Sequence, residues 1–297
     1  MRNALRTNGL MKTYSGFTLG PLDLTVPTGT VAGIVGSNGA GKTTLIKCLL
    51  GLTTADSGTL EVLDAPIARP EDMPGALKER IGVVLDTCAF TQESRVRDVA
   101  QLGRAAYRSW DQAHFEELTR AFGLDGRKQV KELSRGMGMK LSLAFALAHC
   151  PQLLILDEAT AGLDPLARDE MLELLRAFME DETHTVLMAS HITSDLEKLA
   201  DQIICLDAGR IAFDLPKDAI CDDAGIVRLR AAQLEELANS AAFAAPNAEG
   251  VRVMHEAYSV SMLVPDRFAF ADAFPDIPVE RASLESYLTL ALKGEAL

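Results

Sequence analysis

Gly36-Ser37-Asn38-Gly39-Ala40-Gly41-Lys42-Thr43 is the stretch on which the fold turns, and a second threonine, Thr44, follows it directly. The octet fits G-x-x-x-x-G-K-[ST]. Upstream, Val31 to Val35 is a short apolar run of buried-strand type; downstream, Thr44 to Leu50 has the apolar density of a helix. Strand, glycine-rich loop and helix in that order are what a phosphate cradle requires. The glycines let backbone N–H groups turn inward, and the helix N-terminus adds partial positive charge. Lys42 is expected to reach β- and γ-phosphates, and the Thr43 hydroxyl to bind Mg²⁺. A glycine-rich turn that binds nothing would not need the lysine, the hydroxyl and both flanking patterns together.

The bulk properties agree with a large α/β domain and weigh against some other classes. A chain of 297 residues favours one large α/β domain with a small addition. Hydrophobic content of 48% and charged content of 24% are those of a soluble globule. A net charge of −13 disfavours nucleic acid and anionic lipid as partners, since both attract a basic footprint. The cysteines Cys48, Cys88, Cys150, Cys205 and Cys221 are scattered, with no C-x-x-C pair, as in a reduced cytosolic chain without a thiol metal site. Residues 1–16 lack the apolar core of a signal peptide, and no run of about 18 apolar residues offers a membrane span.

Along the chain, Leu5 to Val26 reads as two or three short antiparallel strands, with Gly16, Gly20-Pro21 and Pro27 as punctuation. Tyr14 in that segment could stack on an adenine ring or simply pack at a strand end, and spacing alone leaves both open. Thr59 to Leu63 reads as a strand, and Pro66, Pro70 and Pro74 mark an irregular passage. Arg80 to Leu85 is a buried strand. Arg95 to Phe122 has helical period, and Leu133 to Leu147 is a very apolar helix. Leu153 to Leu156 is a strand of the parallel-sheet kind, followed by an amphipathic helix from Asp169 to Glu180. Thr185 to Ala189, Ser194 to Leu199 and Gln202 to Leu206 continue the alternation as strand, helix and strand. This predicts an open, mostly parallel α/β sheet over residues 1–215, with a helical subdomain inserted at about 90–150.

Past Pro216 the pattern changes to a small α+β unit, residues 216–297. Ile226 to Leu229 reads as a strand, Leu234 to Ala238 as a helix and Asn239 to Gly250 as a loop. Val251 to Val264 alternates in two registers, as a hairpin does. A last helix places Leu284, Tyr287, Leu288, Ala291 and Leu292 on one face behind Ser283 as N-cap.

Two carboxylates end the central strand. Asp157 stands where a phosphate-loop enzyme places its Mg²⁺-organising carboxylate, and Glu158 is placed to polarise a water attacking the γ-phosphate. Alone they could be an exposed acidic pair; with the phosphate loop present they read as its partners. Leu133-Ser134-Arg135-Gly136-Met137, taken alone, is an ordinary helix start with Ser134 as N-cap.

Together and in this order these motifs resemble an ATP-binding-cassette (ABC) ATPase over roughly residues 1–215. The resemblance runs through Asn38 to Thr44, Leu133 to Met137 as signature, Leu156 to Thr160, Ala161 to Pro165 and Ala189-Ser190-His191. It implies a P-loop NTPase fold of ABC type, with an antiparallel β subdomain and the inserted helical subdomain, that binds ATP and Mg²⁺. It also implies that Tyr14 stacks on adenine and that His191 contacts the γ-phosphate and orients the water. Asp164 would cross a dimer interface, and Ser134 and Gly136 would close over nucleotide bound to the partner. Two chains, identical or different, must then pair head-to-tail. Arg135 and Met137 stand where the family commonly has glycine and glutamine, and Asp86 where a glutamine usually follows the strand. These departures, with the C-terminal unit, resemble the YtrB-like exporter ATPases, a group linked to antibiotic or peptide resistance. The implied function is a cytoplasmic ATPase subunit, peripheral on the inner face of the cell membrane, that drives a separate transmembrane permease. A soluble assembly or regulatory ATPase is the alternative.

Overall fold

In the computed structural model, which describes residues 2–67, 69, 73–240, 243 and 250–297, β1 (Asn3–Tyr14) and β2 (Phe17–Pro27) form a long antiparallel hairpin. Leu22, Leu24 and Val26 are buried while their neighbours face outward, the period of a half-buried strand. Gly20 and Pro21 do not end β2. The register steps from Leu10↔Leu22 to Lys12↔Leu19, so both stand opposite Met11 as a bulge. That is why two long strands replace two or three short ones.

β3 (Val31–Val35) is buried throughout and feeds through the glycine-rich loop into α1 (Lys42–Leu49). β4 (Ser57–Val62) pairs with β1, and β5 (Ala65–Pro66) completes a sheet of order β2-β1-β4-β5. Of the prolines expected to mark irregular chain, Pro66 lies in β5, Pro74 caps α2 (Gly75–Lys78) and Pro70 lies outside the described residues.

After β6 (Ile81–Val84) come α3 (Val96–Ala106), α4 (Gln112–Ala121) and α5 (Arg135–Leu147), all before β7 (Leu153–Asp157). The helical block read over Arg95 to Phe122 is therefore two helices. Tyr107 leaves α3 with extended backbone and stacks on His149 at 4.0 Å. Trp110 packs against Phe115 and Phe145, and Asp111 restarts the helix by accepting from the His114 amide. Tertiary aromatic packing breaks a periodicity that the sequence carries unbroken.

α6 (Pro165–Phe178) starts four residues before its amphipathic pattern, because Asp164 caps it and proline suits its first turn. β8 (Thr185–Ala189), α7 (Thr193–Leu199), β9 (Gln202–Asp207) and β10 (Arg210–Pro216) follow. The second sheet has the order β10-β9-β3-β8-β7-β6, with β3–β8, β8–β7 and β7–β6 parallel. β10 was not legible in the sequence. It is an edge strand whose residues alternate between exposed and half-buried, so no apolar run marks it.

The remaining sheet has the order β14-β11-β13-β12-β15. It comprises β11 (Gly225–Leu229), the hairpin β12 (Arg252–His255) with β13 (Val260–Val264), β14 (Val279–Arg281) and β15 (Glu295–Ala296). α8 (Ala231–Ala238), α9 (Arg267–Ala273) and α10 (Leu284–Lys293) complete it. Val227, Val253, Met262 and Val264 pack with Leu234, Leu237 and Phe270 on one face; Ile226, Leu263 and Leu290 pack on the other. The inner face of α10 differs from the expected one: Leu290 is buried, whereas Leu292 is 39% exposed. β14 and β15 carry too few apolar residues to be read from sequence, and α9, mostly apolar but only seven residues long, is too short to set a helical period. In the expected loop Asn239 to Gly250, residues 241, 242 and 244–249 lie outside the described ones. The chain divides into two compact units, Met1–Ala200 with Ile204–Phe213, and Asp201–Ile203 with Asp214–Leu297.

Candidate active site

Because β3, β8, β7 and β6 run parallel and side by side, their carboxyl ends bring four loops to one edge of the sheet. These are the glycine-rich loop after β3, the His191 loop after β8, Asp157 and Glu158 at the end of β7, and Asp86 after β6. A cavity of about 450 Å³ opens there, lined by Phe17, residues 37–44, Asp157 and Glu158.

The loop's glycines are required at two points. A Cβ on Gly36 would collide with the Leu206 carbonyl oxygen, and one on Gly41 (φ 113°) would press on Leu19 and Phe17. Gly41 is also the N-cap of α1 and offers no side chain, so the first amides of that helix stay free to meet an anion. Lys42 is buried at 7% exposure and folds back, donating to the carbonyls of Gly36 at 2.7 Å and Ser37 at 3.3 Å. Those bonds aim its ammonium across the loop that must hold phosphate.

Thr43 Oγ1 donates to Asp157 Oδ2 at 3.1 Å, which joins the loop to β7. Asp157 Oδ1 is buried and accepts from no protein group. Burial pushes the Asp157 carboxyl above the ordinary carboxylate range. The Thr43 hydroxyl opposes that rise, while the charges of Glu158 and Asp86 add to it. An orphaned carboxylate oxygen beside a hydroxyl fits Mg²⁺, which takes one or two protein oxygens and completes its shell with phosphate and water. Among the described residues no group of three or more His, Cys, Asp or Glu could hold a metal ion by itself. The sequence assignment of Thr43 and Asp157 therefore has the donors to work in this place, with phosphate supplying the rest. Asp86 is exposed two residues beyond β6, and its charge is felt at Asp157.

Glu158 adopts φ 53°, a left-handed backbone that a non-glycine residue rarely takes. Its amide donates to the Ala189 carbonyl at 2.9 Å, so the conformation is imposed by the neighbouring strand β8. The consequence is a carboxylate turned toward His191, whose Nδ1 lies 2.5 Å from Glu158 Oε2. Strain of this kind concentrates where a side chain must be aimed. The His191 side chain is 59% exposed, open to whatever meets the sheet edge.

Four sequence-assigned residues lie elsewhere. Tyr14 does not line the cavity: its hydroxyl is 3.5 Å from Thr53 Oγ1 and Lys12 Nζ lies 5.6 Å from its ring centroid. Its cross-strand partner Phe17 lines the cavity instead. The period of two across a tight turn, which sets Tyr14 opposite Phe17, is the signal that could have found it. Ser134 is exposed and caps α5, accepting from the Met137 amide at 3.2 Å. Gly136 faces Leu163, and Asp164 spends its carboxylate on the Ala167 amide at 2.9 Å. None of Ser134, Gly136 and Asp164 reaches the cavity of its own chain.

Residues 19–161 match the ABC transporter family. The chain is 36% identical over 214 residues to the daunorubicin/doxorubicin resistance ATP-binding protein DrrA of Streptomyces peucetius, covering 70% of this chain and 64% of that one. It is 32% identical to the bacitracin transport ATP-binding protein BcrA of Bacillus licheniformis, over 73% of this chain and 71% of the relative. It is 38% identical to the Nod factor export ATP-binding protein I of Cupriavidus metallidurans, over 73% of each. Among solved structures, an ATP-binding subunit of an ABC transporter superposes with a TM-score of 0.66 at 27% identity, over 73% of this chain and 91% of that chain. A dimeric ATP-binding cassette bound to ADP and Pi shares the fold, with a TM-score of 0.65 at 20% identity, over 72% of this chain and 98% of its own.

Proposed function

This chain belongs to the ABC transporter family, and from that premise we propose that it is the ATPase of an exporter, working as a head-to-tail pair beneath a separate transmembrane protein. One observation carries the reading: the cavity gathers Lys42, Thr43, Asp157 and Glu158, while Ser134, Gly136 and Asp164 of the same chain stay outside it. Half a site faces the cavity and the complementary half, with Ser134 and Asp164 exposed, lies elsewhere, which two copies reconcile.

ATP seats its phosphates on residues 36–44, with Lys42 at the β- and γ-phosphates. Phe17, with Tyr14 beside it, offers an aromatic face for the base. Mg²⁺ bound by Thr43 and Asp157, with Asp86 nearby, supplies charge neutralisation at the phosphates. Glu158 accepts the proton of the attacking water, and His191 holds Glu158 in place and meets the γ-phosphate. Catalysis is then positioning plus charge stabilisation, which only the closed pair completes.

Among the described residues no helix is long and apolar enough to cross a membrane, so a transporter built on this chain needs a membrane-spanning partner. Relatives named for drug resistance, bacitracin transport and Nod factor export support export as the direction. The place of work is then the cytoplasmic face of the cell membrane. An ATPase domain is assigned to about residues 1–215 and a C-terminal domain to 216–297, a division supported by the compact units Met1–Ala200 with Ile204–Phe213 and Asp201–Ile203 with Asp214–Leu297.

Affinity purification of the full chain from detergent-solubilised membranes tests this. Recovery with an integral membrane protein that stimulates ATP hydrolysis is expected. Recovery only as a soluble complex would overturn the transport reading and favour an assembly or regulatory ATPase.

A further inference from the structure

Outside the cavity, a buried carboxylate and a half-buried guanidinium meet without satisfying each other. Asp195, in the first turn of α7, is 1% exposed, yet neither carboxylate oxygen accepts a hydrogen bond from a protein group. Arg168, one turn into α6, brings Nε to 3.9 Å from Asp195 Oδ2, and that nitrogen is also without a hydrogen-bond partner. Its Nη2 reaches back to the Leu163 carbonyl at 3.4 Å. An ion pair kept only to hold two helices together would be expected to close to hydrogen-bonding distance, because a buried carboxylate such as Asp195 is costly without hydrogen bonds. This one is left open.

Its location gives the opening a use. Arg168 touches the segment 161–164, which ends in the α6 cap Asp164. Asp195 sits four residues after His191, and its amide is tied to the Ile192 carbonyl at 3.2 Å. His191 in turn holds Glu158. The pair therefore lies between the loop expected to meet the second copy and the histidine expected to meet the γ-phosphate. Loop 161–164 also touches the signature helix: Gly162 lies against Arg135, and Leu163 against Gly136.

We propose that Arg168 and Asp195 form a positioning strap: engagement of loop 161–164 by the partner copy draws the pair into a hydrogen-bonded contact, which fixes His191 and Glu158 for hydrolysis. Neither residue touches nucleotide; both act through His191. The inference rests on the assignment of Glu158 and His191 to the water-handling step.

The test is steady-state ATP hydrolysis by the full chain with its membrane partner, alongside thermal unfolding, for Asp195→Asn, Arg168→Gln and the double variant. Each single variant is expected to lower kcat by about tenfold to a hundredfold, as a small misplacement of catalytic groups does. KM for ATP should stay within about threefold, since ground-state binding is untouched. The double variant should be no slower than the worse single, because both break one link. Asp195→Glu, which keeps the charge, should recover most of the lost rate. Retained kcat in both single variants, multiplicative losses in the double, or losses that match the unfolded fraction would each overturn the strap. If the single variants do not fold, Arg168→Met with Asp195→Leu leaves no unpaired charge: folded and slow supports the strap, folded and fast overturns it. Glu158→Gln separates the two levels. Full turnover in that variant defeats the underlying assignment, whereas an inactive Glu158→Gln beside an active Asp195→Asn defeats the strap alone.

Discussion

The sheet edge around β7 and the C-terminal unit treat their polar groups in opposite ways. In residues 214–297, among those described, no buried side-chain oxygen or nitrogen lacks a partner. Glu256 accepts from the hydroxyls of Ser261 and Ser259, which hold its carboxyl below the ordinary range. Ser283 and Ser286 cap α10 reciprocally, and Asp266 caps α9 through the amides of Phe268 and Ala269. Around β7 the protein instead leaves Asp157 Oδ1, Thr160 Oγ1, Arg168 Nε and both oxygens of Asp195 unpaired. It also holds Glu158 in a left-handed backbone. One region is complete as folded; in the proposed function the other is completed by nucleotide, metal and a second copy. Buried groups left unpaired in a native protein concentrate where something else will satisfy them.

That contrast can be broken most sharply at Glu158. Glu158→Gln keeps the shape and removes the base, so phosphate release should fall by about a hundredfold to ten-thousandfold. The variant should also accumulate an ATP-bound dimer on size exclusion, because closure no longer leads to hydrolysis. Near-normal release would remove Glu158 from its role.

Asp157→Asn should abolish Mg²⁺-dependent turnover yet raise the melting temperature of the ligand-free protein. The reason is the sign of its shift: burial raises the folded carboxyl, so the ionised form opposes folding. Stability from this group is present at acid pH and is lost as pH rises through the raised value. Metal binding needs the carboxylate and should weaken over the same window as pH falls. A melting temperature that drops in Asp157→Asn would mean its charge is already satisfied without ligand.

Phe17→Ala should raise KM for ATP about fivefold at nearly constant kcat, from the loss of about 1 kcal/mol of aromatic stacking. Tyr14→Ala should do less. The reverse order, measured in the same titration, would assign adenine to Tyr14.

Smallest is the effect expected in the satisfied region. Ser283→Ala should lower the stability of the full chain by about 1 kcal/mol through loss of a helix cap, read by denaturant unfolding. ATP turnover should not change. A loss of turnover there would give the C-terminal unit a part in catalysis.

Much of this was legible beforehand for physical reasons. The phosphate loop is a local object: glycines, lysine and threonine act within eight residues, so the sequence carries the whole instruction. The buried strands ending at Val35, Val84, Asp157 and Ala189 were readable because parallel strands covered on both faces are continuously apolar. β10 was not, since an edge strand needs no apolar run. The break between α3 and α4 was not, since Tyr107 and Trp110 find their aromatic partners at Phe145 and His149, far along the chain.

By itself, then, the amino-acid sequence determined the nucleotide cradle, the αβ alternation and the order of its motifs, because each depends on neighbours within a few residues. Only the tertiary structure decided that Phe17 faces the cavity, that β8 imposes the backbone of Glu158, and that Asp195 meets Arg168. Each of those depends on which distant strand or helix lies alongside, and that is fixed by packing.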